Sequence, residues 1–262
     1  MNLSDYDLVI VNSSAGKDSL CALYEITMMA AQQGYPNNRI IVSHQDLGRM
    51  EWAGTRELAK KQADLFGLRI YYSKRRDRYG NHETLLEYVK RRGKWPSNKQ
   101  RYCTSDFKRG PGARIVTQLT RDMKNCKVLY VFGFRESESP ARAKKKVLSL
   151  NKKLTTRSRI VYDYLPIHHW STKKVWDTIR NNNLPYHWAY DLGIPRLSCC
   201  FCIFSPFDAL VVAGIANPDL LDEYVEVEQE TGHSFRNDFT IKSVQDAIRS
   251  GYQPKKISDW IM

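Results

Sequence analysis

The chain has 262 residues, 42% apolar and 26% charged, an ordinary globular composition that argues against extensive disorder and leaves room for one large domain with a small appendage. Its longest apolar runs, such as 209–216, are far too short to span a bilayer, so a soluble, unprocessed chain with no membrane partner is expected. Lys plus Arg total 41 against 28 acidic residues, and the formal charge of +13 favours an anionic substrate or a polyanionic partner without choosing between them.

In chain order, Tyr6 to Asn12 reads as a buried strand, broken at Ser13 to Lys17 before a helical pattern that runs through Ala30. A second β-branched run, Arg39 to His44, precedes Asp46-Leu47-Gly48 and a helix from Glu51 to Phe66. Arg69 to Ser73 and Val128 to Gly133 supply a third and a fourth strand. Strands alternating with helices predict a doubly wound α/β fold around a mainly parallel sheet. Between the last two strands, the basic stretch Lys74 to Arg114 is interleaved with Tyr79, Tyr88, Trp95 and Tyr102. That mix suits phosphates and stacked bases, and equally a solvated helix with its loop. A second basic run, Arg142 to Lys153, is expected as a mobile segment over the site. After Cys202 the chain turns helical from Pro206 to Gly232, and its Glu223, Glu226, Glu228 and Glu230 read as a solvated or interaction face. The expected division is 1–204 for the nucleotide-binding domain and 205–262 for a helical extension.

Two features carry chemistry. Ser14-Ala15-Gly16-Lys17-Asp18-Ser19 lies directly between a strand and a helix, where backbone N–H groups and the positive helix end converge on one spot. Small residues at Ser14, Ala15 and Gly16 admit phosphate oxygens, and Ser19 donates from the first helical turn. The spacing is not that of a Walker A loop. A polar turn capped by Asp or Ser is the competing reading. The six cysteines lack the pattern of a secreted disulfide framework and fit a metal site in a reducing cytoplasm. Soft sulfur ligands at the Cys199-x-x-Cys202 spacing suit iron–sulfur or zinc. Cys21 and Cys126 read as core.

The loop resembles the PP-loop Ser-Gly-Gly-x-Asp-Ser of the ATP pyrophosphatases, with Ala15 replacing the first glycine. Asp46-Leu47-Gly48 resembles the Asp-x-Gly segment of the phosphoadenosine phosphosulfate (PAPS) reductase-like superfamily, and Gly133 to Arg142 its Gly-x-Arg-x-x-Glu-Ser-x-x-Arg element. Cys103-Thr104 with Lys108 is similar to Cys-Thr-x-x-x-Lys, the stretch from Pro166 to Trp170 to Pro-Ile-x-x-Trp, and Arg196 to Cys202 to Arg-x-x-Cys-x-x-Cys. The occurrence of these elements in the family's order makes the resemblance specific from Leu8 to Phe204.

It implies an adenine nucleotide alpha hydrolase-like fold. Ser14, Ala15, Gly16, Lys17, Asp18, Ser19, Asp46, Gly133, Arg135 and Arg142 would hold ATP, or PAPS or adenosine phosphosulfate, with Mg2+, and Lys17, Asp18 and Arg135 would act in catalysis. Cys103, Cys199 and Cys202, with Cys200 as candidate fourth ligand, would hold a four-iron four-sulfur cluster, zinc being the alternative. Reductases of this family attack with a C-terminal cysteine, and none follows Cys202 here. With Lys17 and Asp18 in place, the resemblance points to an ATP-cleaving, adenylating sulfurtransferase. The nearest motifs are those of the sulfurtransferases of DNA phosphorothioation, with DNA or tRNA as acceptor and a cysteine desulfurase as sulfur donor. The alternatives are a sulfonucleotide reductase without its own C-terminal cysteine and a non-catalytic nucleotide-binding subunit.

Overall fold

The computed structural model describes residues 1–258 and 260. They fall into two compact units: Met1–Gln45, Gly54–Ser73 and Pro111–His187 in the first, Asp46–Ala53, Lys74–Gly110 and Trp188–Met262 in the second. The strands are β1 (Leu8–Ser13), β2 (Ile40–Gln45), β3 (Arg69–Ser73), β4 (Cys126–Val131), β5 (Leu148–Leu150) and β6 (Arg159–Tyr164). The helices are α1 (Lys17–Gln33), α2 (Thr55–Leu65), α3 (Leu85–Arg92), α4 (Tyr102–Thr104), α5 (Gly110–Leu119), α6 (Pro140–Ala143), α7 (Thr172–Asn181), α8 (Phe207–Ala216), α9 (Pro218–Thr231) and α10 (Ile241–Arg249).

The first unit has the expected doubly wound α/β architecture. Its sheet has the order β3-β2-β1-β4-β6-β5, parallel except for β5. The period of two along β1 sends Val9 and Val11 to one face, against α1, Ala63 of α2 and Val175 and Ile179 of α7. It sends Leu8 and Ile10 to the other, with Ile41, Val128 and Val116 of α5. Both faces are therefore covered, which explains why β1 and β2 read as nearly unbroken apolar runs. From β1 the chain builds outward to β2 and β3 on one side, then returns to place β4 on the other. The carboxyl ends of β1 and β4 flank this switch point, where open α/β sheets form their ligand crevice.

Residues 142–153, expected as mobile, instead complete α6 and enter β5, which pairs antiparallel with β6 as Leu148↔Tyr164, Ser149↔Asp163 and Leu150↔Tyr162. Neither β5 nor β6 was among the four strands expected. Cys21 and Cys126 are buried in the two cores of this unit.

The second unit is helical. Tyr88, Trp95 and Tyr102 from the basic stretch share one core with Tyr224, Phe235 and Val244, so the segment after Phe204 packs with residues 74–110 rather than standing as an extension. Trp95 stacks on Tyr224 at 5.3 Å between ring centroids. These aromatics are core side chains, not the exposed base-stacking platform that their spacing allowed; of the four, Tyr79 is exposed. The expected single helix 206–232 breaks at Asn217, because Pro218 lacks an N–H and starts α9. Glu228, read as solvated, is buried and accepts from the backbone N–H groups of Phe235 (2.6 Å), Ile241 (3.0 Å) and Lys242 (3.1 Å).

Candidate functional site

In the first unit, β1 passes into α1 through Ser14, Ala15 and Gly16. Ala15 takes φ of 57°, the left-handed region that costs an L-residue roughly 1–2 kcal/mol. Two bonds hold it there: its N–H donates to Ser13 Oγ at 3.1 Å, and its carbonyl accepts from Gln62 Nε2 at 3.2 Å. Ser19 Oγ closes the turn by donating to the Gly16 carbonyl at 2.9 Å and accepting from the Ser14 N–H at 3.2 Å. Gly16 occupies the N-cap position of α1 and has no side-chain oxygen with which to cap it. The positive helix end thus keeps its affinity for an external anion.

Two cations meet one carboxylate at this end. Lys17 Nζ lies 3.2 Å from Asp18 Oδ2, and Arg135 Nε donates to Asp18 Oδ1 at 2.6 Å. Lys17 and Arg135 are 2% and 1% exposed, so their pairing with Asp18 offsets a desolvation that would otherwise be costly. Arg135 is fixed further by Ser137 Oγ at 3.0 Å, Thr172 Oγ1 at 3.1 Å and the Trp170 carbonyl at 3.4 Å. Its own N–H donates to Glu138 Oε2 at 2.8 Å, and Glu138 in turn pairs with Arg142, whose guanidinium lies 4.4 Å over Phe134. Gly133 lets these parts approach: a Cβ there would lie 2.5 Å from the Asp18 carbonyl oxygen and 2.8 Å from Ser19 N. Ser14, Ala15, Gly16, Lys17, Asp18, Ser19, Gly133 and Arg135 are therefore brought together, with Arg142 linked through Glu138.

Asp46 belongs to the second unit. There its Oδ1 accepts from the Gly48 N–H at 2.8 Å, stabilising a turn in which Gly48 has φ of 60°, and its Oδ2 lies 3.3 Å from Lys74 Nζ. The thiols lie in this unit too. Cys103 sits in α4, directly before a π-helical turn over Ser105–Arg109, a geometry frequent at functional positions. Cys199 is paired with Glu51 in a β-bridge, and the Cys200 N–H donates to the Met50 carbonyl at 2.8 Å.

Three of the sulfurs bear on one another electrostatically. Burial and then Cys199 push the Cys202 thiol up to about 12, with Cys103 adding to the rise. Cys103 is raised by burial and then by Cys199. Lys108 is held above the ordinary lysine range, first by Cys199, then by Cys202 and Cys103. Cys200 differs: it is 3% exposed, packed in the apolar core, and Cys199 is the one other thiol that bears on it. Tyr224, fully buried, is raised by burial and then by all four sulfurs.

All six cysteines are free thiols. A single zinc ion with bonds of about 2.3 Å would hold its sulfurs roughly 3.8 Å apart. Half-buried free thiols with apolar walls and an adjacent lysine suit a cysteine-ligated metal centre, iron–sulfur or zinc.

Gln62 and Tyr224 escaped the sequence reading. Gln62 sits in a helix rich in Lys and Glu, and Tyr224 falls at apolar helical spacing, so neither carries a local signal.

The phosphoadenosine phosphosulfate reductase domain profile matches residues 9–204. An uncharacterized protein of Methanocaldococcus jannaschii is 29% identical over 194 residues, 74% of this chain and 36% of that protein. The adenosine 5'-phosphosulfate reductase of Lysinibacillus sphaericus is 32% identical over 73 residues, 28% of this chain and 29% of that enzyme. The matches thus span about a third of these relatives' length. The phosphate complex of phosphoadenylyl-sulfate (PAPS) reductase from Candida auris overlaps with a TM-score of 0.47 at 22% identity, covering 73% of this chain and 80% of that one.

Proposed function

The chain belongs to the phosphoadenosine phosphosulfate reductase domain family, and from that premise we propose that it is an ATP-dependent adenylating sulfurtransferase whose acceptor is a nucleic acid, DNA or tRNA. The observation that carries the reading is the convergence of Lys17 and Arg135 on Asp18 at the uncapped start of α1.

An acceptor oxygen attacks the α-phosphorus of ATP; the new O–P bond forms as the α–β bridge breaks, and pyrophosphate leaves. Sulfur at the sulfide level then attacks the acceptor atom bearing the adenylated oxygen, and AMP departs with that oxygen. A cysteine desulfurase persulfide is the proposed source, with a second thiol releasing its sulfur as a disulfide forms. The loop N–H groups and the α1 dipole orient the phosphates. Lys17 and Arg135 stabilise the charge that develops as pyrophosphate separates. Because both side chains are already fixed, little reorganisation is needed at that moment.

Asp18 is shared between two cations, so it offers no dedicated cage for Mg2+, which fits an ion carried mainly by the nucleotide's phosphates. Cys103, Cys199 and Cys202, with Cys200 as candidate fourth ligand, would hold an iron–sulfur cluster, whose chemistry is to bind sulfur at iron or to pass electrons. Arg142, tied to Arg135 through Glu138, is assigned to nucleotide positioning. The surplus of 13 positive charges supports a polyanionic acceptor.

The test is pyrophosphate release from ATP by anaerobically prepared protein with tRNA or duplex DNA, alongside iron and sulfide analysis. The wild type should release pyrophosphate and incorporate sulfur. Lys17→Ala should lose the release by at least about 100-fold, as expected for removal of a transition-state charge partner. Cys199→Ala should keep pyrophosphate release but lose iron and sulfur incorporation. A second reading is favoured by the curated relatives named adenosine 5'-phosphosulfate reductase: the same loop would bind a sulfonucleotide. Sulfite and AMP formed from adenosine phosphosulfate with an added dithiol as the two-electron reductant, itself oxidised to the disulfide, and no pyrophosphate from ATP, would replace the first reading with the second.

A further inference from the structure

A different cluster in the first unit has no part in the scheme above. Glu136, His168 and His169 each offer a ligand atom within 4.8 Å of the other two. Glu136 opens the short 3-10 turn Glu136–Glu138 after β4, and its N–H donates to the His168 carbonyl at 2.9 Å, so main chain holds the two loops together. Glu136 Oε2 and His169 Nδ1 stand 2.9 Å apart. The His168 ring packs edge-on against that of His169 with centroids 4.9 Å apart.

Burial within the cluster is uneven. His168 is 2% exposed, and among the described residues its Nδ1 has no hydrogen-bond partner. Burying a ring nitrogen without a partner is unfavourable, and a metal bond removes that penalty. The side chains of Glu136 and His169 are 45% and 68% exposed, so an ion has a path from solvent.

We propose that Glu136, His168 and His169 bind a divalent transition metal of the zinc class, with two imidazole nitrogens and one carboxylate oxygen as ligands and water completing the coordination. Two bonds of about 2.0 Å at a tetrahedral ion subtend roughly 3.3 Å, close to the spacing already present between Glu136 and His169. Imidazole suits zinc, cobalt or nickel, whereas Mg2+ prefers an all-oxygen shell, so this is a different site from the one the nucleotide's ion would use. The metal has a positioning role. Glu136 follows Arg135, and Arg135 bonds Ser137 on one loop and Trp170 and Thr172 on the other. An ion joining Glu136 to His168 and His169 ties the same two loops and holds the guanidinium between them.

The experiment is a Co2+ titration of the full chain in a Cys199→Ala background, followed by absorption spectroscopy, with His169→Ala and Glu136→Gln added singly. Both added changes fall on solvent-exposed side chains, and circular dichroism checks the fold. The background protein should show cobalt d–d bands without sulfur-to-cobalt charge transfer, reversed by Zn2+. Each added substitution should weaken that binding at least about tenfold. The proposal is overturned if all bound cobalt shows thiolate charge transfer. It is equally overturned if His169→Ala and Glu136→Gln bind Co2+ as the background protein does.

Discussion

At Gly133 the exit of β4 and the first turn of α1 meet with no room for a side chain, since a Cβ would intrude on the Asp18 carbonyl at 2.5 Å. The obstacle is backbone, not a flexible side chain, so Gly133→Ala must displace one segment or the other. We expect a loss of about 1–3 kcal/mol in urea unfolding, typical of overpacking, and at least tenfold weaker ATP binding by calorimetry, since the moved turn carries Lys17 and Asp18. Asp163 on β6 behaves oppositely. Burial raises its pKa above the ordinary 3.8, although Asn151 donates to it at 2.8 Å. The folded state therefore holds this proton more tightly than the unfolded chain, and stability falls as pH rises from about 3.8 through the folded-state value. Asp163→Asn should remove that component. The urea midpoint at pH 7 should rise relative to that at pH 4 in the variant; an unchanged difference would refute the assignment. The loop Ser14–Ser19 was legible because a strand, small residues and a helix follow one another locally. The burial of Gln62 and His168 was not, because it comes from packing between segments far apart in sequence.

Among the elements, the start of α10 is held by a carboxylate from α9 and by its own cap Thr240, whose Oγ1 accepts from the Ser243 N–H at 3.1 Å. Glu228 accepts from three backbone N–H groups, those of Phe235, Ile241 and Lys242, two of them in the first turn of α10. Glu228→Gln keeps one oxygen acceptor and adds a donor facing donors. It should cost about 1–3 kcal/mol in urea unfolding, whereas Glu226→Gln, on an outward-facing position of the same helix, should lie within about 0.5 kcal/mol of the wild type. Sequence alone placed four glutamates on one helix but could not separate the one turned inward. The strands divide in the same way. β1 and β2 are buried on both faces and read plainly as apolar runs. β6, Arg-Ile-Val-Tyr-Asp-Tyr, is mostly half-buried and mixes charged with apolar residues, so its strand character emerges only beside β4 and β5. The aromatics of 74–110 show the converse error: a basic, Tyr- and Trp-bearing stretch suits nucleic acid, but its rings were needed for a core.

For the whole molecule the governing quantity is a formal charge of +13. If the acceptor is a nucleic acid, binding of duplex DNA or tRNA measured between 50 and 200 mM salt should weaken steeply, with a log–log slope of about −0.9 for each duplex phosphate neutralised. A slope near zero would mean that the surplus charge serves some other end. The second unit draws on three separate stretches of chain, 46–53, 74–110 and 188 onward. During synthesis the first two leave the ribosome well before the third exists, so Tyr88, Trp95 and Tyr102 wait without the Tyr224 and Phe235 that will cover them. Such non-local closure is slow and exposes apolar surface meanwhile. Cys103 waits likewise for Cys199 and Cys202, so the nascent chain cannot present its complete set of thiols until translation has passed the last of them.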